Sequence, residues 1–517
     1  MFRPFALALG LCAGFAQLAL AAPAFAASTT YYVDCSATTN GTGTQSAPLN
    51  SMPAANALAL GAGDSVLFKR GTTCKGQLYA RHSGTATAPV TYGSYGTGPA
   101  ARIDANGNYA AVWLKNASYV TVQDLELTAP GDNTTARRGV WAQAVDSGDL
   151  TGVVLQRLNI HDVRGVLPST TGGTISNGKY GGASGGIVVE ALGSTTPSSF
   201  KDIRIRNNTI ASVDRAGIYF WSNWCRRADL VGFWSSWCTA AWHPHTGAVV
   251  EDNTLSDIGG DGIAVKSSSN ALVQRNTLAG FNERAGSPNA GMWTANSDYV
   301  TFQHNKASGG NTTRDGQAYD VDHSTNHVTF QYNVSHDNDG GFFLLCPYGA
   351  DVPGNAKDFV IRYNLSVNDH ARTFHVCSGG LVRGRIHNNT IQLPADSGHQ
   401  IVLESATKDG ALDVAFTNNL IRGAGSGSSA WTLNDSAFRI DHNLIHAAAV
   451  PPTATHTLTS APLLAAPSTT SSDPADFKLL TGSPALGAGA AVAGDGGRDF
   501  FGTTPANPPS IGFHEGL

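Results

Sequence analysis

Val328-Thr329-Phe330-Gln331-Tyr332-Asn333 and Phe359-Val360-Ile361-Arg362-Tyr363-Asn364 are two copies of one phrase, and reading them together decides the fold. The phrase is apolar-x-apolar-x-x-Asn-x-apolar, then a variable stretch, then Gly-apolar-x-apolar. Its asparagines recur at Asn208, Asn253, Asn276, Asn305, Asn333, Asn364, Asn389, Asn419 and Asn443. Most spacings lie between 23 and 31 residues, with one of 45. A recurrent period of this size marks a solenoid, in which each repeat buries its apolar face only against its neighbours. Two earlier coils carry Leu125 and Leu158 at the asparagine position, so the ladder begins at Asn208.

Alternation of period two within each phrase predicts strands, with Val, Ile and Phe inside and polar residues outside. A stacked internal asparagine can bond along the stack and satisfy turn amides that would otherwise be buried unpaired. A leucine-rich repeat also carries a periodic asparagine. Here, however, its L-x-x-L-x-L signature is missing, a second strand phrase begins at each Gly, and no amphipathic helix intervenes.

The flanks read differently. Arg3, an apolar run from Phe5 to about Ala22, and Ala24-Phe25-Ala26 make a secretory signal peptide over residues 1–26; Pro23 and the small residues favour cleavage over anchoring. Six cysteines then remain, Cys35, Cys74, Cys225, Cys238, Cys346 and Cys377, an even number without a CxxC. In a secreted or periplasmic protein they permit three disulfides. The expected pairs are Cys35–Cys74, Cys225–Cys238 and Cys346–Cys377, the last near the ends of aligned strands one coil apart. Charged residues are 14% and the net charge is −5, so no nucleic-acid surface is expected. No later segment has the ~18 apolar residues of a membrane span.

Residues 27–110 form an N-terminal module, with Tyr31-Tyr32-Val33-Asp34-Cys35 and Gly63-Asp64-Ser65-Val66-Leu67-Phe68-Lys69-Arg70-Gly71 reading as strands around a turn. This opening resembles the N-terminal cap of secreted bacterial right-handed parallel β-helix proteins of the pectate-lyase-like, carbohydrate-active kind. Residues 111–450 are then the coils. The Pro, Ser, Thr and Ala-rich tail over 451–517, with Ser483-Pro484-Ala485 and Ile511-Gly512-Phe513-His514-Glu515, resembles the fold-back cap of such proteins. The predicted fold is therefore all-β: a right-handed parallel β-helix with an N-terminal cap and a C-terminal fold-back tail.

Aligning the Gly-apolar-x-apolar phrases gives two outward columns. The first reads Trp141, Val188, Tyr219, Ala264, Trp293, Asp320, Phe343, His375, Val402. The second reads Gln143, Glu190, Trp221, Lys266, Ala295, Asp322, Leu345, Cys377, Glu404. Aromatic rows on an outer face mark binding surfaces, and flat rings suit the faces of sugars. The resemblance implies a substrate groove on this sheet, after the variable turn, where the insertions from Asn282 to Ala290 and Asn311 to Gly316 fall. The expected substrate-binding residues are Trp141, Tyr219, Trp221, Lys266, Trp293, Phe343 and His375. A Trp-rich loop from Trp221 to His245, stapled by Cys225–Cys238, forms a wall. Its His243-Pro244-His245 lacks a third metal ligand and reads as surface histidines.

Asp320 and Asp322 place two carboxylates in one coil where its neighbours carry mostly apolar or neutral groups. Being two apart on one strand face, their Cβ atoms lie about 6–7 Å apart. Like charges that close disfavour each other's ionisation, which suits an acid/base pair, and glycoside hydrolysis uses two carboxylates about 5–9.5 Å apart. These two are the expected catalytic residues. No cofactor is required, although a calcium site with Asp337 or Asp339 stays open. The expected activity is hydrolysis of a polysaccharide or oligosaccharide by a monomer. One alternative is a polysaccharide lyase using Lys266, Arg284, Arg314, Arg372 or His375, which an acidic groove centre disfavours for a uronate substrate. Another is a non-catalytic glycan binder.

Overall fold

The computed structural model describes Met1 and residues 28–167, 182–227, 238, 240–347, 355–405, 412–425, 428–434 and 437–516; nearly all of the segment expected to be a signal peptide and the middle of the expected Trp-rich wall lie outside them. Three long parallel sheets wind around one core. The first has 14 strands, from Thr30–Val33 to Phe438–Asp441; the second has 13, from Thr73–Lys75 to Leu444–His446; the third has 12, from Leu78–Ala80 to Ser429–Thr432. One coil shows the path: Thr329–Gln331 in the first sheet, Val334–His336 in the second, Gly341–Cys346 in the third. Among the described residues helix is confined to Met52–Asn56 and a 3₁₀ turn at Pro474–Phe477, and no helix is long and apolar enough to cross a membrane.

The periodic asparagines sit at the corner between the first and second sheets and form a continuous ladder. Asn333 Nδ2 donates to Asn364 Oδ1 at 3.0 Å and to Phe302 O at 3.0 Å, while its own Oδ1 accepts both Asn305 Nδ2 and Asn305 N at 3.0 Å. The same four-bond pattern begins when Leu158 N finds Asn208 Oδ1 at 3.0 Å and runs to Asn443. Each asparagine follows a left-handed residue, such as Tyr332 (φ 58°), Tyr363 (φ 49°) or His442 (φ 51°), that bends the chain into the next sheet. Inside, side chains stack on their equivalents; Phe302 and Phe330 lie 4.4 Å apart with planes inclined by 3°.

The C-terminal segment pairs with the last coil through Asp441–Thr455 and Leu444–Leu458 bridges. It then runs back along the outer face of the second sheet. There Leu464, Phe477, Leu479, Ile511 and Phe513 bury Tyr332, Tyr363, Leu365 and Leu444 in a separate apolar cluster. Cys35–Cys74, Cys225–Cys238 and Cys346–Cys377 are all bridged, with Cα separations of 5.3, 4.8 and 5.0 Å, inside the usual range.

One strand differs from the expected alignment. Asp320 pairs with Leu344, and Asp322 with Cys346, so Phe343 stands opposite Tyr319. A slip of one residue moves every side chain to the other face, and Phe343 therefore lies in the core between Tyr319 and Phe374, not in the groove. Gly340-Gly341 explains the slip. The first glycine belongs to the turn; the second starts the strand at φ 114°, where a Cβ would lie 1.7 Å from Arg372 O. The shift carries on: Val402 pairs with Phe374 and faces inward, leaving Leu403 beside His375. It also places Cys346 in the outward column, where Leu345 was expected.

Candidate functional site

The outer face of the third sheet carries the ladder Trp113, Trp141, Val188, Tyr219, Ala264, Trp293, Asp320, Leu344, His375, aligned by parallel register. It is not one open row of rings. It divides into an open aromatic cleft, a covered cluster and an acidic pair.

The cleft occupies the N-terminal coils. Trp113 and Trp141 stack at 4.7 Å with planes inclined by 12°, and Arg138 lies over the Trp141 ring at 4.3 Å. With Tyr109, Gln143, Glu190, Leu192 and Trp221 they line a cavity of about 500 Å³. Glu190 fixes the wall: one carboxylate oxygen accepts Trp141 Nε1 at 2.7 Å and the other accepts Gly182 N at 2.9 Å. Tyr109 is 56% exposed and Tyr79, tilted against Trp113, is 40% exposed, so this end of the ladder offers flat apolar faces to solvent. The strand Ala110-Ala111-Val112-Trp113-Leu114-Lys115, absent from the columns aligned on the Gly-apolar-x-apolar phrase, pairs Trp113 with Trp141. Its alternation extends the aromatic row by one coil, and so was the available signal.

Next along the ladder, Tyr219, Trp221 and Trp293 surround the Lys266 ammonium, with ring centres 4.2, 4.6 and 5.2 Å from Nζ. Lys266 Nζ also bonds the Tyr219 hydroxyl. Burying an ammonium costs several kcal/mol; cation–π contacts worth ~2 kcal/mol when desolvated, together with that hydroxyl, offset much of it. Lys266 is 1% exposed. Cys225, Cys238, Ala183, Ala290 and Ala295 complete a second apolar cluster over these rings. Asn296 Nδ2 donates to Cys225 O at 3.0 Å and holds that end of the bridge. Asp261, ion-paired with the fully buried Arg215, accepts Trp293 Nε1 and Ala290 N, each at 3.0 Å. Tyr219, Trp221, Lys266 and Trp293 are thus brought together, but three of them are buried with the Cys225–Cys238 bridge in this cluster; Trp221 alone also borders the cleft.

Asp320 and Asp322 follow. They project from one strand face and are 5% and 8% exposed. Asp322 Oδ1 accepts His323 N at 2.7 Å and lies 2.7 Å from His323 Nδ1. Asp337 is engaged elsewhere, with His336 Nδ1 at 2.7 Å and Asn368 Nδ2 at 2.6 Å. Along the column, five rungs separate Trp141 from Asp320, roughly 24 Å at about 4.8 Å per rung.

A model of the right handed beta helix region matches residues 238–421. The chain is a right-handed parallel β-helix. It is similar to the lacto-N-biosidase of Bifidobacterium longum subsp. longum, 26% identical over 490 residues, covering 78% of this chain and 29% of that protein. The chain thus spans less than a third of that curated relative's length. The crystal structure of the GH136 lacto-N-biosidase from Eubacterium ramulus shares its fold with a TM-score of 0.62 and 24% identity, covering 75% of this chain and 68% of that one. The selenomethionine form of the same enzyme gives 0.58 and 23%, covering 79% and 67%.

The remaining candidates sit apart from a shared centre. His375 faces outward beyond Leu344, bonds Ser405 Oγ at 2.8 Å, and is pushed down to about 4 by burial, with Arg372 adding to the effect. Arg372 donates to Thr313 O and Asp315 O, Arg314 to Gly286 O, and Arg284 holds Asp214 and Asp257; these cations brace the insertions. His245, expected on the surface, is fully buried. Phe200 N donates to its Nδ1 at 3.1 Å, so its proton sits on Nε2, 3.2 Å from Trp221 O. A histidine-rich loop segment and a strand look alike when only two residues pair, as His245–Thr246 does here.

Proposed function

We propose that this protein is a secreted glycoside hydrolase acting on an oligosaccharide or polysaccharide, like the lacto-N-biosidases it resembles. Asp320 and Asp322 carry the cleavage. The observation behind this reading is the pair itself: successive outward carboxylates of one strand, shielded from bulk water, next to Trp293 on the ladder. Shielding strengthens charge stabilisation of an oxocarbenium-like transition state. Asp322, already accepting the His323 backbone N–H, serves as the carboxylate, base or nucleophile. Asp320 protonates the leaving oxygen. The Trp113–Trp141 cleft binds sugar rings remote from the cleaved bond. Three disulfides fit an oxidising compartment.

The lyase alternative loses its cations, because Arg284, Arg314 and Arg372 are committed to carbonyls and carboxylates, and Lys266 to aromatic rings. A glycan-binding role without catalysis is the second reading, favoured by the separation of the open cleft from the acidic pair. Incubation with a glycan panel, read as reducing ends beside absorbance near 235 nm, separates the three. Reducing ends alone support the hydrolase, unsaturated product reassigns it as a lyase, and binding without either leaves the module.

A further inference from the structure

At the opposite end of the solenoid from the cleft, Asp441, His442 and His456 place three ligand atoms within 4.8 Å of one another. We propose that they form a binding site for a divalent transition-metal ion, which clasps the C-terminal segment to the last coil. The placement is built by the backbone. Thr455 N donates to Ile440 O at 3.0 Å and His442 N to Thr455 O at 3.1 Å, so the segment bearing His456 is paired beside the strand bearing Asp441. His442 is held in its left-handed conformation (φ 51°) by its place just before Asn443, the last rung of the asparagine ladder.

The two imidazoles lie parallel, ring centres 4.5 Å apart and planes inclined by 27°. His456 Nδ1 bonds Asp441 Oδ1 at 2.7 Å, and His442 Nδ1 lies 2.8 Å from the other oxygen of the same carboxylate. Thr455 Oγ1 donates to Asp441 Oδ1 at 2.7 Å and orients it from behind, as outer partners of metal ligands do. Two imidazoles and one carboxylate select zinc, nickel, copper or cobalt over calcium or magnesium, which prefer all-oxygen sites. The His456 side chain is 69% exposed, so an ion reaches the site from solvent and keeps water on its open positions. For binding, each imidazole carries its proton on Nε2 and offers Nδ1, and the exposed His456 ring turns out of the stack so that both lone pairs meet one ion.

The test uses the full chain without a polyhistidine tag. Titration with zinc chloride in a calorimeter should show one site per chain. Asp441→Asn and His456→Ala should each weaken it by tenfold or more, and His446→Ala on the neighbouring strand should leave it unchanged. Cobalt should give d–d absorption bands that the two variants lose. Zinc should also slow proteolysis of the segment after Val450 in the parent chain and not in His456→Ala. Because His456 is exposed, its variant folds, as circular dichroism will verify. Absence of binding, or equal binding by parent and both variants, overturns the site.

Discussion

Asp322 stands directly across from Cys346 in the parallel register, so the Cys346–Cys377 bridge forms the next rung beside the acidic pair. The bridge joins the next two coils to each other and so stiffens the strand end against which Asp322 is paired. Replacing both cysteines with serine should lower kcat several-fold at temperatures where far-ultraviolet dichroism is unchanged. It should also cost about 3–4 kcal/mol of stability, from the loop the bridge closes. An unaltered kcat in the folded double variant would detach the bridge from function.

Asp320→Asn and Asp322→Asn should each reduce kcat by two or more orders of magnitude while glycan binding persists. Loss confined to KM would make them binding residues. Full activity in both would move the search to Glu190 in the cleft.

Trp141→Ala removes a stacked ring from the cleft and should raise KM about tenfold, or ~1.4 kcal/mol, with kcat changed much less. Trp113→Ala should act in the same direction. If tryptophan fluorescence of the parent chain does not respond to any glycan it cleaves, the cleft is not a sugar subsite.

Asn333→Leu strands Phe302 O, Asn305 N and Asn305 Nδ2, all buried. At ~1–3 kcal/mol for each unsatisfied group, the loss in a urea titration should reach about 3 kcal/mol or more. A loss below about 1 kcal/mol would mean that the ladder is ornamental to stability.

Stability should fall as pH drops from about 6.5 to 4. Burial pushes His245, His375, His387 and His399 down to about 4, whereas the unfolded chain titrates near 6.5. Between those values the unfolded state binds more protons, so acidification favours it. Asp369 and Glu515, raised by burial, work in the opposite sense toward the acid end but are fewer. Thermal scans at half-unit steps check the slope. A melting temperature that holds or rises over that window would contradict it.

The fold was legible because each rung repeats one chemical necessity: a buried corner amide needs a partner, and Asn208 to Asn443 supply it. The Cys346–Cys377 bridge was legible for the same reason, since the ends of aligned strands one coil apart lie close, and Cys225–Cys238 was legible from its separation of 13 residues. Phe343 was misplaced because two glycines in a row make the turn's last residue ambiguous, and period two turns that ambiguity into a reversal of faces. The covered state of Tyr219 and Lys266 was not readable either. It depends on where the Cys225–Cys238 bridge packs, and that placement leaves no periodic trace.

The coil from Asn208 to Asn253 spends 45 residues where its successor spends 23, yet each advances the asparagine ladder by one rung. Chain length is thereby uncoupled from the pitch of the scaffold. A lineage can lengthen, shorten or exchange the segment between two ladder asparagines without disturbing the spacing of Trp141, Trp293 and Asp320 on the sheet. New recognition can therefore evolve by editing one turn at a time.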